Sequence, residues 1–265
     1  MKLSSGSGRA DRIGPRNPSV LGETAVTNEQ PASEIIKQVE LSLPATEESA
    51  LAALQRLDLS PPFIEEIARR TGLLKSRKVR RAVVGHPRTP RHIALPLIRQ
   101  LFTFDLMQLA LTPAVAGDLK RAADEILCNR LGAISSGERL SLARRGSGRV
   151  AATLLNDKET RVMRAALENA RLTETHIVQA ITRAGSTTVL IETVCHHAQW
   201  SLRREVRIAL LRHEKTPMAR AVEFARGLPA AQLREILQNS RLPENIKAYL
   251  LRDMGQRHRG ASASF

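Results

Sequence analysis

Three stretches of this 265-residue chain carry side chains capable of chemistry. Cys195-His196-His197 offers a thiol and two imidazoles, donors that zinc or iron accepts. Consecutive helical residues point about 100° apart, so three neighbours converge on one ion only with ligands from elsewhere. His176, Cys128 or His213 could supply them, but no spacing demands it, and the triplet reads as a half-buried cysteine beside two surface imidazoles. Gly146-Ser147-Gly148-Arg149 has the glycines of a phosphate cradle. It lacks a preceding strand and a following Lys-Ser/Thr, so it reads as a turn between helices. Asp105 and Asp157 are the carboxylates placed to act at loops, and each also reads as a cap or a surface charge. Gly-x-Gly-x-x-Gly, Walker, His-Glu-x-x-His and Gly-x-Ser-x-Gly patterns do not occur. The expectation is a non-catalytic protein with no metal, no cofactor and no small-molecule substrate.

The elements that would position these residues are helices. Apolar residues recur at three-and-four spacing from Thr46 onward, as in Leu51, Leu54 and Leu57, interrupted by Pro, Gly or Asn. Ser135 with Glu138, and Asn156 with Glu159, have the spacing of a reciprocal cap at a helix start. Aromatics make up 3% of the chain, which disfavours a β-sandwich or barrel. The pattern predicts an all-α fold in four parts: a disordered tail over 1–31, a short helical lead-in over 32–45, an α-helical repeat region over 46–252 and a frayed C-terminus over 253–265. No apolar run reaches the roughly 18 residues of a membrane span. The start, Met-Lys-Leu-Ser-Ser-Gly-Ser-Gly, has no apolar stretch behind its charge, and Cys128 and Cys195 are too few for a disulfide framework. A cytoplasmic protein is expected.

Four segments align without gaps: Val79–Pro90, Val162–Thr173, Val206–Pro217 and Gln232–Pro243. Each has an apolar helical turn, then His or Asn, a free position, a basic residue, Thr or Leu, and Pro or Thr. Asn and His tolerate the left-handed conformation that ends helices, and Pro suits the first turn of the next helix. Each copy therefore predicts a pair of helices joined by a turn. The copies are 83, 44 and 26 residues apart, so degenerate units are expected at Leu57–Ile64, Leu109–Ala116 and Leu140–Leu155, with a unit of about 22–28 residues.

The segment Val79–Ile98, VRRAVVGHPRTPRHIALPLI, resembles the bacterial leucine-rich repeat variant motif, a relative of HEAT repeats. The copies at 162, 206 and 232 match it in part, and with degenerate units the resemblance covers 46–252. It implies a right-handed solenoid of short helix pairs used as a scaffold for protein–protein interaction. One member of that family carries a cysteine-rich iron–sulfur segment before its repeats; no Cys precedes Cys128 here, so no cofactor carries over. HEAT-like repeats also build a class of alkylated-base DNA glycosylases. Such an enzyme needs an acid and an aromatic cage, and Phe63, Phe102, Phe104, Trp200, Phe224 and Tyr249 are few and scattered.

Charge bears on the partner. Residues 75–265 hold 33 basic and 16 acidic side chains, whereas 1–74 hold 8 and 10. This basic protein therefore suits an acidic partner, most simply a protein, with nucleic acid as the alternative. Arg outnumbers Lys 33 to 8, as a GC-rich genome would produce without any selection for binding. The basic column Arg88, Arg171, Lys215 and Arg241, with Arg81, Arg164 and Arg234 on the adjoining helices, is the candidate binding edge. A basic residue just past a helix C-terminus also satisfies free carbonyls, so capping is the competing account. Within Phe63–Val83, a DNA-reading helix-turn-helix would bury Lys78, whereas the repeat would bury Val79.

Overall fold

The computed structural model describes residues 43–262, with side chains through residue 256; the expected tail over 1–31 and most of the lead-in over 32–45 lie outside the described residues. Among the described residues the chain is all-α. Its helices are α1 Glu47–Leu54, α2 Pro61–Arg69, the single turn α3 Thr71–Leu74, α4 Arg77–Gly85, α5 Arg91–Ile98, α6 Thr103–Leu111, α7 Gly117–Arg130, α8 Ser136–Arg145, α9 Gly148–Leu154, α10 Thr160–Leu167, α11 Glu174–Thr182, α12 Thr188–His196, α13 Arg204–Leu211, α14 Met218–Arg226, α15 Ala230–Gln238 and α16 Glu244–Ser262. A 3-10 turn at Trp200–Leu202 joins α12 to α13.

Most of these helices are too short to persist alone in water, so tertiary packing holds them. Their starts are well capped. Thr46, Ser76, Ser135, Ser147, Thr173 and Thr187 each accept a backbone N–H with the side chain. Ser135 and Glu138 form the expected reciprocal cap. Asn156 and Glu159 do not: α10 begins one residue after Glu159, whose own N–H is held by Asp157 Oδ1 at 2.9 Å. An acid at that position is drawn instead into ion pairs with Arg139 and Arg161.

The aligned apolar columns form the core. Val79, Val162 and Val206 are fully buried, as are Val83, Ala166 and Leu210. Val84, Leu167, Leu211 and Leu237 are buried beside them. The small column is looser, with Ala209 buried and Ala82 and Ala165 half-buried. Each large member stabilises by about 1.5–3 kcal/mol through burial. Lys78 is exposed while Val79 is buried, so this stretch follows the repeat register and not that of a DNA-reading motif.

Helices pack in two alternating series. In one, α4 packs on α1 and α6, α10 on α8 and α12, and α14 on α16; in the other, α5, α7, α9, α11, α13 and α15 pack in succession. The turn after a helix of one series is followed by a helix of the other. The expected degenerate units each place a turn between helices, at residues 55–60, 112–116 and 146–147. The last helix continues through Ser262 with Met254 buried, past residue 252 where fraying was expected. No helix among the described residues is long and apolar enough to cross a membrane.

Candidate functional site

The His/Asn turn residues work by hydrogen bonding, not by left-handed backbone. His86 is extended, at φ −72° and ψ 133°, and Asn239 sits at φ −99° and ψ 14°. In three of the four copies the near acceptor takes the N–H two residues on, Arg88 N–H donating to His86 Nδ1, Arg171 N–H to Asn169 Oδ1 and Lys215 N–H to His213 Nδ1, whereas Asn239 donates its amide to the Glu235 carbonyl of its own helix. Accepting at Nδ1 leaves the proton on Nε2, and His86 Nε2–H donates to the Arg56 carbonyl at 2.8 Å. Asn169 does the same job with its amide, donating to the Ala143 carbonyl at 2.7 Å. An acceptor near the backbone and a donor farther out are what His and Asn share. Sequence comparison also missed a further member, His197, whose Nδ1 accepts from Gln199 N–H while Nε2 meets Glu168.

The basic column extends this bonding across units. Arg88 Nη1 donates to the Asp58 carbonyl at 3.1 Å, Arg171 Nη1 to the Arg145 carbonyl at 3.4 Å, and Lys215 Nζ to the Ser186 carbonyl at 2.7 Å. Arg241 uses its backbone N–H on the Arg212 carbonyl at 3.0 Å. These bonds reach back 26 to 30 residues, one repeat unit. Three side chains therefore cap carbonyls of the preceding unit, not those of the helix that each follows, which is where the capping account had placed the bond.

Nor do the four residues follow helices of one series. Arg88 and Arg171 follow α4 and α10 of one series, whereas Lys215 and Arg241 follow α13 and α15 of the other. The step of 44 residues between the second and third copies is about one and a half units, so the alignment crossed from one set of turns to the other. Both sets join stacked helices and carry the same turn chemistry, which is why the mismatch left no trace in the motif. Of the adjoining arginines, Arg81 Nη1 donates to Gln108 Oε1 at 2.6 Å, Arg234 is exposed on α15, and Arg164 is exposed on α10.

Cys195 is buried, and its thiol is pushed up to about 11 by burial. His196 bonds the Glu192 carbonyl through Nδ1. Among the described residues no group of three or more His, Cys, Asp or Glu side chains is arranged to hold a metal. Both candidate carboxylates are engaged by arginine. Asp105 is buried against Arg77 at 2.6 Å, and Asp157 lies 2.8 Å from buried Arg139. Gly146 and Ser147 form the turn between α8 and α9, with Ser147 capping α9.

An open groove of about 1220 Å³ runs across α8, α10 and α12. Arg144, Arg161 and Arg164 line one side, and Val189, Glu192 and Thr193 the other. Arg161 is held by Glu159 at 2.9 Å. Arg144 and Arg164 are exposed and have no side-chain hydrogen bond or ion pair among the described residues. Of the residues expected at the binding edge, only Arg164 lies here. No family model, no curated protein and no solved structure matches the chain.

Proposed function

We propose that the protein is a non-catalytic scaffold: a right-handed, HEAT-like solenoid that engages a protein partner through the groove over α8, α10 and α12. The observation that carries the reading is the pair of exposed arginines, Arg144 and Arg164, on one wall of a groove of about 1220 Å³ and without side-chain partners among the described residues. Arg80, Arg130 and Arg139 bind the chain's own carbonyls and carboxylates, whereas the guanidinia of Arg144 and Arg164 have no such partner among the described residues and are available to a ligand. Glu192 and Val189 on the facing wall suit a polypeptide, which presents charges of both signs and apolar side chains. The alternating packing of short helices supports the solenoid, and the resemblance of Val79–Ile98 to leucine-rich repeat variants points the same way.

The excess of basic charge over 75–265 favours nucleic acid as a second reading. Retention on heparin and on duplex DNA across a salt series separates the two. A protein-directed groove gives weak retention with a shallow salt slope. A nucleic-acid site gives a steep linear loss against log salt, about one unit per phosphate contact. Nuclease-treated co-purification with the wild type and with R144E/R164E then tests the groove: a partner held by the first and lost by the second supports the proposal.

A further inference from the structure

A second groove, of about 410 Å³, runs between α9 and α11 on the other helix series. Its walls are two matched helical faces. Arg149, Ala152 and Thr153 lie on α9 with Asn156 in the turn just past it, and His176, Gln179 and Ala180 lie on α11 with Arg183 at its C-cap. Each set follows the i, i+3, i+4, i+7 spacing of one helix face. The two helices start side by side: a Cβ on Gly148 would overlap the Arg171 carbonyl and meet His176 at 3.0 Å. Arg149 and His176 therefore sit at one end of the groove, Asn156 and Arg183 at the other.

No carboxylate lines this groove, unlike the larger one. The nearest acid, Asp124 of α7, accepts the Ser147 hydroxyl at 2.7 Å and lies outside the lining. Arg149 and Arg183 are exposed and make no side-chain hydrogen bond or ion pair to a carboxylate among the described residues, Asp124 acting on Arg149 only through its field. Two guanidinia at opposite ends of the groove set a demand for two negative charges. Between them, Asn156 and Gln179 offer amides that both donate and accept. A peptide backbone presents donors and acceptors alike, whereas a phosphodiester backbone presents acceptors only. The lining also has no Phe, Tyr or Trp on which a base could stack.

From this juxtaposition we infer that the α9/α11 groove is a binding site for an extended acidic peptide, with Arg149 and Arg183 pairing its carboxylates and Asn156 and Gln179 bonding the peptide backbone. This site lies apart from the α8/α10/α12 groove and stands on different residues, so it is independent of the function proposed for that groove.

Fluorescence anisotropy on the full chain tests it with two probes, a labelled dodecapeptide of Glu-Ala repeats, whose carboxylates share one face when extended, and a labelled dodecathymidylate of the same length. The inference expects saturable peptide binding that weakens at least tenfold in R149Q/R183Q. It expects a smaller loss in N156A/Q179A and no change in R144Q/R164Q. Circular dichroism melts of each variant confirm that the fold is kept. Peptide binding that is absent at millimolar concentration, or indifferent to R149Q/R183Q, overturns the inference. Tighter dodecathymidylate binding that R149Q/R183Q abolishes also overturns it, by assigning the groove to nucleic acid. Peptide binding lost only in R144Q/R164Q overturns it while supporting the larger groove.

Discussion

The Lys215 ammonium donates to the carbonyl of Ser186, 29 residues earlier, at 2.7 Å, so a side chain of one turn caps the backbone of the preceding one. Arg88 makes the equivalent bond to Asp58 at 3.1 Å in the other series. Replacing both residues with Gln should lower stability by about 1 kcal/mol per lost bond, read from urea midpoints. Affinity for heparin should change little, because these charges are turned to the chain's own carbonyls. A large drop in heparin affinity with no loss of stability would show the column to be a binding row.

The turn residue must accept near the backbone and donate farther out. His86→Asn keeps both abilities, as Asn169 shows, and should cost well under what His86→Leu costs. The leucine leaves the Arg56 carbonyl and the Arg88 N–H without partners, a loss of about 1–3 kcal/mol. Thermal melts of the two variants side by side make the comparison. Equal destabilisation would mean that the turn needs the imidazole itself.

His213 gives the fold a pH dependence. Burial lowers its pKa first, Lys215 and Arg241 lower it further, and Glu214 opposes them. A histidine depressed in the folded state binds fewer protons there than when unfolded, so its stabilisation is complete above the unfolded value near 6.5. It is lost as pH falls through the folded pKa, when protonated Nδ1 no longer accepts from Lys215 N–H. Melting temperature should therefore fall on going from pH 7.5 to pH 5, and less steeply in H213N. An identical profile for H213N would remove His213 from the account.

Much of this was legible in the sequence. The apolar columns at helical spacing anticipated buried Val79, Val162 and Val206, and Ser135 announced its cap. The register of the turns was not legible. Copies at 162 and 206 share a motif because both sets of turns join stacked helices, and only packing shows that α10 and α13 belong to different series. Arg144 and Arg183 escaped notice, and Arg149 was read only as part of a turn, for a related reason. Their significance is the absence of a carboxylate partner, and partners come from helices distant in sequence. One signal was present for the smaller groove: the α9 and α11 faces, read at i, i+3, i+4, i+7, contain no acid.

Gly148 tests the close approach of α9 to the α10–α11 turn. Gly148→Ala places a methyl against the Arg171 carbonyl, and a backbone atom cannot step aside as a side-chain tip can. The substitution should destabilise by about 1–3 kcal/mol, although alanine is the better helix former. A chemical denaturation curve shifted the other way would mean that the two elements sit farther apart.

Leu210 is fully buried in the shared core of α13. Leu210→Asp should cost more than about 4 kcal/mol by burying a charge without a partner, and neighbouring helices should unfold with it. Hydrogen exchange should show protection lost together across α11, α13 and α15. Loss confined to α13 would argue against a continuous core.

The claim that Arg144 and Arg164 face a protein partner is tested most directly by photo-crosslinking from the groove. A benzoylphenylalanine at Val189, on the wall opposite those arginines, samples whatever lies between them. The account predicts crosslinks in cells to one defined polypeptide, resistant to nuclease and abolished by R144E/R164E. Crosslinks to nucleic acid, or a polypeptide crosslink indifferent to R144E/R164E, would contradict it.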